Sequence, residues 1–409
     1  MSSYSTLSRE PSSGVDNPGD DRKSIPSQPM GRGCPVQSFS EARALLRDDH
    51  LRQASFRADL IARFSDERFA PIIFQHGERH RRQRVATARF FTPKTVDTSY
   101  RAIIERESDA LIGDLQRRGR AKLDDMSMRL AVSVAAEIVG VTDSNRAGMA
   151  RRLERFFRAG NGALGKSILD LPRFARAQIH MLNFYVRDVF PAVLARRRAP
   201  REDVISHLMA EGYSDRAILT ECVTYAAAGM VTTREFITMA GWHLLEREEL
   251  RARFLATDES GRIAILEEIL RLEPVVGVLS RQNPDTGKIL TVDIRQANAD
   301  VAAVGACPHA VDPDRALAAR VGGAGLSFGD GSHRCPGASV AILETAIFLD
   351  RLLRIAGLTL EAPPKINWNA LITGYELRDC RLRIAPKTAQ APQPDQRFCI
   401  APRSHHMAR

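Results

Sequence analysis

Apolar residues recur every three or four positions along most of the chain, which is the spacing of one face of an α-helix. Two short stretches, 289–295 and 374–384, are strand-like in their alternation of apolar and polar residues, which predicts small β regions there. Within the helical region 100–158 the pattern is carried by Met126, Leu130, Val134 and Ile138. The chain is therefore predicted to be mainly α with small β-sheets.

A second helical stretch, 214–246, is apolar on most sides. Ser214 is a suitable N-cap for it. At 1.5 Å per residue, a helix of roughly thirty residues is about 45 Å long and must cross the body of the protein. Near its centre, Ala228, Gly229 and Thr232 fall on one side without bulky groups. A flat ligand is expected to lie against that side.

The stretch 328–341 reads Phe-Gly-Asp-Gly-Ser-His-Arg-Cys-Pro-Gly-Ala-Ser-Val-Ala and has one cysteine, Cys335, among three glycines. Pro336 fits the first position of a helix, and an apolar stripe at helical spacing follows it. This predicts that Cys335 lies at a helix N-terminus, where partial positive charge stabilises a thiolate. Such a thiolate is a nucleophile or a metal ligand; a buried structural cysteine on a glycine-rich turn is the alternative.

Composition narrows the class of protein. The 409 residues include 44% hydrophobic residues, enough for a large core, and carry a net charge of +10. No helix-turn-helix, zinc-finger or aromatic stacking motif accompanies this charge, so we expect no nucleic acid and instead an acidic protein partner. The six cysteines are widely spaced, which favours a reduced, cytoplasmic protein.

The two ends of the chain differ from its middle. Residues 1–35 are rich in Ser, Pro, Gly and Asp, and residues 387–409 in Ala, Pro, Gln and basic residues, so both are predicted to be disordered. The N-terminus has neither a signal pattern nor an apolar run of the ~18 residues that span a bilayer, so we expect no membrane anchor. Residues 36–386 are expected to form a single catalytic domain.

The cysteine loop resembles the haem-binding loop of the cytochrome P-450 family, Phe-Gly-x-Gly-x-His-x-Cys-x-Gly. All six defined positions match, at Phe328, Gly329, Gly331, His333, Cys335 and Gly337. The resemblance implies that the cofactor is haem b and that Cys335 is the thiolate ligand of its iron. It also implies the family's triangular helical prism, with haem between the long central helix and the cysteine loop.

Three further residues resemble the family's propionate-binding positions. His80 and Arg84 are four residues apart in a predicted helix before Phe90-Phe-Thr-Pro93, so they share one face. Arg281 follows in extended structure. The resemblance implies that these side chains and His333 hold the haem propionates. For His80 and Arg84 the alternative is a solvated basic helix face.

Other residues have implied structural or substrate-binding roles. Glu268 and Arg271 match the family's Glu-x-x-Arg helix, which implies that the pair stabilises the core on the cysteine side. An apolar substrate pocket is implied at Val276, Val278, Leu371 and Ile372. Such a lining favours an apolar or amphipathic small molecule.

The central helix departs from the family at one position. Its Ala-Gly-x-acid-Thr motif is Ala228-Gly-Met-Val-Thr232 here, so Val231 stands where the acid is expected. Valine cannot relay a proton. Thr232 is expected to act in catalysis through water, with Thr233 as a helper; alternatively, the Thr232 hydroxyl is bonded back to its own helix.

These resemblances imply a soluble, bacterial-type haem-thiolate monooxygenase of secondary metabolism that inserts one atom of dioxygen into its substrate. With no flavin or nicotinamide domain in the chain, electrons are expected from a ferredoxin or flavodoxin and its NAD(P)H-dependent reductase. The basic residues Arg79, Arg82 and Arg334 are the expected docking surface. The alternatives are a peroxide-driven or non-hydroxylating (coupling or desaturating) member and a non-enzymatic haem binder.

Overall fold

The structure is a computed structural model that describes residues 35–55, 70–160, 171–370 and 372–385. The predicted disordered ends, 1–35 and 387–409, lie outside the described residues except for Pro35, as does Leu371 of the predicted pocket. Within the described part of the chain, no helix has the length and apolarity that crossing a bilayer requires.

The described chain is mainly helical, as predicted. In chain order the helices are α1 (Phe39–Arg47), α2 (Gly77–Ala88), α3 (Pro93–Thr95), α4 (Arg101–Arg118), α5 (Leu123–Val139), α6 (Arg146–Gly160), α7 (Leu171–Phe184), α8 (Phe190–Arg198), α9 (Val204–Ala210), α10 (Asp215–Tyr225), α11 (Thr232–Glu246), α12 (Glu248–Ala256), α13 (Glu259–Leu272), α14 (Ile294–Ala297), α15 (Val301–Val304) and α16 (Ala338–Leu353). Three π-helical segments connect helices (Val96–Tyr100, Tyr185–Val189, Ala226–Val231), and there are short 3₁₀ turns at Ile72–Phe74 and Gly331–His333.

The predicted long helix is formed by α10, the π-helical segment Ala226–Val231 and α11. The hydroxyl of Ser214 accepts a hydrogen bond from the Ala217 N–H at 3.3 Å, so the predicted N-cap is confirmed. Nearly all of α11 is buried, as expected for a helix that crosses the core. π-Helical turns inside α-helices are frequent at functional sites. Here the π turn contains Ala228 and Gly229 and ends immediately before Thr232.

The helices stack in layers around this central helix. Helices α6 and α7 pack on each other, α6 also packs on α5, and α5 packs on α11. Helix α11 also packs on α16, and α16 packs on α4 and α13. The cysteine loop leads into α16. The α6–α7 pair is therefore connected to the helix after the cysteine loop through α5 and the central helix.

Three small antiparallel sheets lie beside the helices. Their strands are β1 (Arg52–Gln53), β2 (Arg120–Lys122), β3 (Val278–Gln282), β4 (Ile289–Asp293), β5 (Leu358–Ala362), β6 (Lys365–Asn369), β7 (Gly374–Arg378) and β8 (Arg381–Ile384). The sheet orders are β1–β3–β4, β2–β8–β5 and β6–β7.

The two predicted β regions are present, with one corrected boundary. The strand predicted over 289–295 ends at Asp293, because the Asp293 carboxylate accepts the Gln296 N–H at 3.1 Å and caps α14. Strands β1, β2, β5 and β6 were not predicted. β1 and β2 have only two and three residues, whereas apolar and polar residues alternate in β5 and β6, which was a usable signal.

The helix after the cysteine also begins later than predicted. Pro336 and Gly337 form a turn, and α16 begins at Ala338. Cys335 is therefore three residues before the helix rather than at its first turn. The apolar stripe of α16 is buried as expected.

Candidate functional site

The cysteine loop is held by its own backbone and by α1. The Cys335 N–H donates to the Phe328 carbonyl oxygen at 2.8 Å. Gly329 and Gly331 have φ values of 69° and 70°, which side chains rarely tolerate. A Cβ at Gly331 would lie 2.6 Å from the Leu46 carbonyl oxygen, so only glycine lets the loop approach the end of α1 this closely.

Asp330, one of the undefined positions in the motif, fastens the loop to α1. Its carboxylate accepts the Gly331 N–H at 2.7 Å, Arg43 Nε at 2.9 Å and Arg47 Nε at 3.1 Å. Burial works to raise the pKa of Asp330, but the Gly331 N–H and Arg47 outweigh it and the pKa is lowered. An ionised Asp330 therefore keeps the loop in place at neutral pH.

The Cys335 thiol is accessible but has protein atoms close to it. The residue has accessible surface, yet protein atoms crowd the thiol enough for burial to raise its pKa. The Gly337 N–H and the charges of Arg84 and Arg334 act in the opposite direction. A bound metal cation would shift this balance decisively, since a coordinating thiol loses its proton outright.

Glu268 and Arg271 form a buried ion pair through two hydrogen bonds of 2.7 and 2.8 Å. Glu268 also accepts Arg315 Nε at 3.3 Å, and Arg315 donates to four backbone carbonyl groups between residues 304 and 310. Arg271 Nη1 donates to the Asn298 carbonyl oxygen at 2.8 Å. Because both guanidinium groups have several acceptors, the desolvation of this network is well compensated.

Asn298 connects that network to the cysteine loop. Its side-chain oxygen accepts the Leu326 N–H at 2.7 Å, and its Nδ2 donates to the Ser327 hydroxyl at 3.0 Å. The Glu268–Arg271 pair therefore fixes the residues that lead into Phe328. Sequence reasoning missed the roles of Asn298 and Arg315, since both depend on contacts between distant segments.

His80 and His333 meet at the edge of the loop. Their imidazole rings stack with centroids 4.1 Å apart and an interplanar angle of 23°. Burial, followed by the charge of Arg84, lowers the pKa of His80 to about 4. Burial, followed by nearby cationic groups, lowers the pKa of His333 to about 3. Both rings are therefore neutral at pH 7, and each keeps one N–H donor.

Two arginines join these histidines. Arg281, on β3, is 2% exposed and donates to Gln53 Oε1 and to the Ser280 carbonyl oxygen. Burial lowers its pKa to about 10. Arg84 Nη2 donates to the Arg334 carbonyl oxygen at 2.6 Å. Among the described residues neither arginine has a carboxylate partner, so the protein leaves the buried charge of Arg281 and the half-buried charge of Arg84 uncompensated.

The central helix contributes the opposite wall. Ala228 is exposed and Thr232 partly exposed, although their neighbours Met230 and Val231 are only 2% and 1% exposed. Gly229 faces Ala135 of α5, where a Cβ would lie 4.0 Å from the alanine Cβ. The Thr232 hydroxyl donates to the Ala228 carbonyl oxygen at 2.5 Å, the bonded-back arrangement foreseen as the alternative. That hydroxyl keeps lone pairs that can accept another hydrogen bond.

A buried carboxyl group lies beside the neighbouring threonine. Glu344 of α16 and Thr233 of α11 are 3% and 5% exposed, and their side chains lie close together. Burial raises the pKa of Glu344 well above its ordinary value, and the nearby Thr233 hydroxyl acts in the opposite direction. Its Oε2 has no partner among the described residues. Sequence reasoning missed Glu344, although one glutamate within the apolar run of α16 was a usable signal.

The predicted substrate residues are only partly together on one surface. Val276 and Val278 are partly exposed beside the β3 segment that contains Arg281. Ile372 is 1% exposed and packs in the main core, so it presents almost no surface to a ligand in this structure.

This set of donors suits haem. A porphyrin has two carboxylates, and Arg84, Arg281, His80 and His333 supply donors and positive charge that the described part of the protein leaves without an anion. The Cys335 thiolate supplies the soft ligand that iron accepts. Ala228 gives a wall without bulk. The residues therefore fit an iron porphyrin between the central helix and the cysteine loop.

No protein-family model matches the chain. Two relatives show sequence similarity. The chain is 31% identical over 294 residues to cyclomarin C epoxidase CymV of Salinispora arenicola, covering 67% of this chain and 70% of the relative. It is 25% identical over 334 residues to the biotin biosynthesis cytochrome P-450 of Bacillus subtilis, covering 79% and 82%.

Among solved structures, the fold matches the cytochrome P-450 BioI in complex with acyl carrier protein ligated to hexadec-9Z-enoic acid. The TM-score is 0.67 at 22% identity, and the match covers 86% of this chain and 91% of that one. At this identity the likeness concerns the fold alone, and it agrees with the helical layers and small sheets described above.

Proposed function

Since the chain belongs to the cytochrome P-450 family and is a P-450 monooxygenase, we propose that its cofactor is haem b, ligated by the Cys335 thiolate. The observation that carries this proposal is the convergence of the accessible Cys335 thiol with buried or half-buried arginine and histidine side chains that have no carboxylate partner among the described residues. His80, Arg84, Arg281 and His333 would hold the propionates by hydrogen bonds, two of them charge-assisted. Phe328, Gly329 and Gly337 would shape the loop against the ring.

When bound, the haem supplies the activation of dioxygen, and the protein supplies position, protons and exclusion of water. Thr232 orients a water or proton donor through the lone pairs that its bond to Ala228 leaves free. Thr233 lies beside Glu344 on the buried side of the same helix, where burial favours the protonated form of the carboxyl group. Because Val231 is apolar and buried, the central helix itself contributes no acid there.

The substrate we propose is an apolar or amphipathic small molecule. Val276 and Val278 present aliphatic surface on the same segment as Arg281. This supports a substrate whose reacting part is apolar. It also supports a short distance between that part and the edge of the haem. Leu371 and Ile372 remain candidates from sequence only, one outside the described residues and one buried. A pocket of this kind orients a ligand mainly by shape, so spin-state screening with apolar ligands is the suitable search.

For electrons we propose a ferredoxin or flavodoxin with its reductase. Arg79, Arg82 and Arg334 are all exposed, and Arg334 lies next to the cysteine. Glu78 pairs with Arg82 at 3.2 Å and partly offsets its positive charge. Because an acidic electron donor would be repelled by a glutamate at this position, the variant Arg82→Glu is expected to slow reduction by ferredoxin. It should leave the haem content intact.

A peroxide-driven reaction is a second candidate, favoured by the valine at position 231. The two are separated by comparing turnover with ferredoxin and dioxygen against turnover with hydrogen peroxide alone. Efficient peroxide turnover together with weak ferredoxin-driven turnover would favour the second candidate.

The central test is the carbon-monoxide difference spectrum of the reduced holoprotein. We expect the thiolate-type band for the wild type and its loss in Cys335→Ser. Cys307→Ser is a matched control, because Cys307 is also a free, exposed cysteine but lies outside the site. Holoprotein with Cys335 intact and no thiolate-type band would contradict the proposal.

The substrate could also arrive attached to a carrier, as in the complex of the BioI relative with acyl carrier protein. We propose this as a form of the same function. The observation that favours it is a basic and apolar surface remote from the cysteine.

A further inference from the structure

An exposed apolar strip follows the outer side of α7 and its continuation into α8. Its residues are Ile179, Leu182, Val186 and Phe190, exposed by 59%, 60%, 53% and 37%. The described residues contain only three other large exposed apolar side chains, and those are scattered singly. We call these four residues the apolar strip. Apolar side chains grouped in this way mark an interaction site rather than ordinary surface.

A cationic cleft lies directly beside the strip, between α6 and α7. Its volume is about 330 Å³, and its lining consists of Gly148, Arg151, Arg152, Arg155, His180, Asn183 and Arg187. Asp188 is buried and pairs with Arg152, with hydrogen bonds to Arg152 Nε at 2.7 Å and to the Ser144 hydroxyl at 2.6 Å. We call this lining the arginine cleft.

The other arginines of the cleft are left with free charge. Arg151, Arg155 and Arg187 are exposed and have no carboxylate partner within the described part of the chain. Burial, followed by the charges of Arg176 and Arg155, lowers the pKa of His180, as expected inside a group of cations. Cations that the protein does not neutralise attract acidic groups from outside.

The strip and the cleft form one surface. His180, Asn183 and Arg187 each follow a strip residue by one position, so the two features share a helix edge. A partner that covers the strip must also meet the arginines. It therefore needs apolar contact area bordered by acidic side chains.

The position of this surface argues against an electron donor. The packing that connects the α6–α7 pair to α16, the helix that follows the cysteine loop, passes through α5 and α11. A redox protein bound here would contact helices that are separated by two others from the helix after the thiolate. A second copy of this chain is also disfavoured, because it would bring its own net charge of +10.

We propose that the apolar strip and the arginine cleft dock an acidic carrier protein that presents the substrate. This inference rests on the proposed monooxygenase function and adds its delivery partner. Acidic side chains that project from a folded protein can enter the concave cleft, while a flat anionic membrane would reach only its rim. The apolar strip supplies the contact area, and the arginines supply orientation and rate of encounter.

The test is binding of a long-chain acyl carrier protein to the full-length holoprotein, followed by fluorescence anisotropy. We expect binding that weakens with salt and is at least tenfold weaker in the double variant Arg155→Glu/Arg187→Glu. Leu182→Ser/Val186→Ser should also weaken it, with less effect on the salt dependence. Arg383→Glu is the matched control, an exposed arginine on β8 without a carboxylate partner in the described chain.

Two readouts keep the outcomes separate. An intact carbon-monoxide band in each variant shows that the haem site is unaffected, and its absence in the wild type would count against the proposed function rather than the docking surface. The docking proposal is overturned if the double variant binds the carrier as tightly as Arg383→Glu. It is also overturned if the surface instead binds vesicles of phosphatidylglycerol and phosphatidylcholine, or forms dimers in light scattering that Leu182→Ser/Val186→Ser abolishes.

Discussion

Glu221 should make the stability of this protein depend on pH in a defined window. It is fully buried on α10, and its Oε1 accepts the Ile72 N–H at 3.0 Å and Gln83 Nε2 at 3.1 Å. Its Oε2 has no partner among the described residues. Burial raises the pKa of Glu221 from 4.5 to about 7, against the smaller effect of these two hydrogen bonds.

The sign follows from proton linkage. Between about pH 4.5 and about pH 7 the folded state holds this proton more tightly than the unfolded state does, so the stabilisation is complete below the lower value and is lost as pH rises through the higher one. At about 1.4 kcal/mol per tenfold change in proton affinity, the difference amounts to about 3 kcal/mol. Glu221→Gln keeps the shape of the protonated acid. It should therefore be nearly neutral at pH 4.5 and more stable than the wild type by about 3 kcal/mol at pH 8.

The assay is urea unfolding of the haem-loaded protein at several pH values, followed by circular dichroism. Only the difference between variant and wild type is interpreted, so other titrating groups cancel. Glu211→Gln is the matched control, because Glu211 is exposed and close in sequence. Stability curves for wild type and Glu221→Gln that stay parallel from pH 4.5 to pH 8 would refute the reasoning.

Three further substitutions test the site. Gly331→Ala should lower the melting temperature and the haem content, because its Cβ would lie 2.6 Å from a backbone oxygen; Gly287→Ala, also at positive φ but with no neighbour within 4 Å, should cost only about 1 kcal/mol. Arg281→Leu should reduce haem bound per protein severalfold by absorbance while the fold survives in circular dichroism, and full retention would contradict the propionate role. Glu344→Gln should keep the carbon-monoxide band but lower product formed per NAD(P)H consumed by about tenfold or more, since it removes the ionisable carboxyl group beside Thr233; unchanged coupling would exclude that role.

The sequence was sufficient to predict those features whose geometry depends on a single segment of the chain. The helical class, the N-cap at Ser214 and the glycine-dependent cysteine loop all follow from local spacing and backbone freedom. The later start of α16 was not predicted, because Pro336 suits both a first helical turn and the turn that precedes it. The strand boundary at Asp293 was missed for a similar reason, since an aspartate cap competes with continued alternation.

Contacts between distant segments were out of reach of the sequence. Glu344, Arg315 and Glu221 are single charged residues inside apolar or ordinary helical patterns, and nothing local indicates their partners. The surface on α7 was also hidden, because Ile179 and Leu182 have the spacing of a core face and only packing shows that this face is exposed. The buried charged residues and the exposed apolar residues are recognised only by their burial in the structure, not by their residue type.

Because position 231 is a valine and not an acid, the central helix has no carboxyl group there to relay protons. Val231 is 1% exposed, so even a carboxylate there would need a different side-chain direction to reach the accessible face with Thr232. Thr233, one residue on, points to the interior beside Glu344, whose pKa burial raises. The two threonines thus place one hydroxyl towards the accessible face and one towards a buried carboxyl group. The replacement of Glu344 therefore tests whether this carboxyl group compensates for the valine on the central helix.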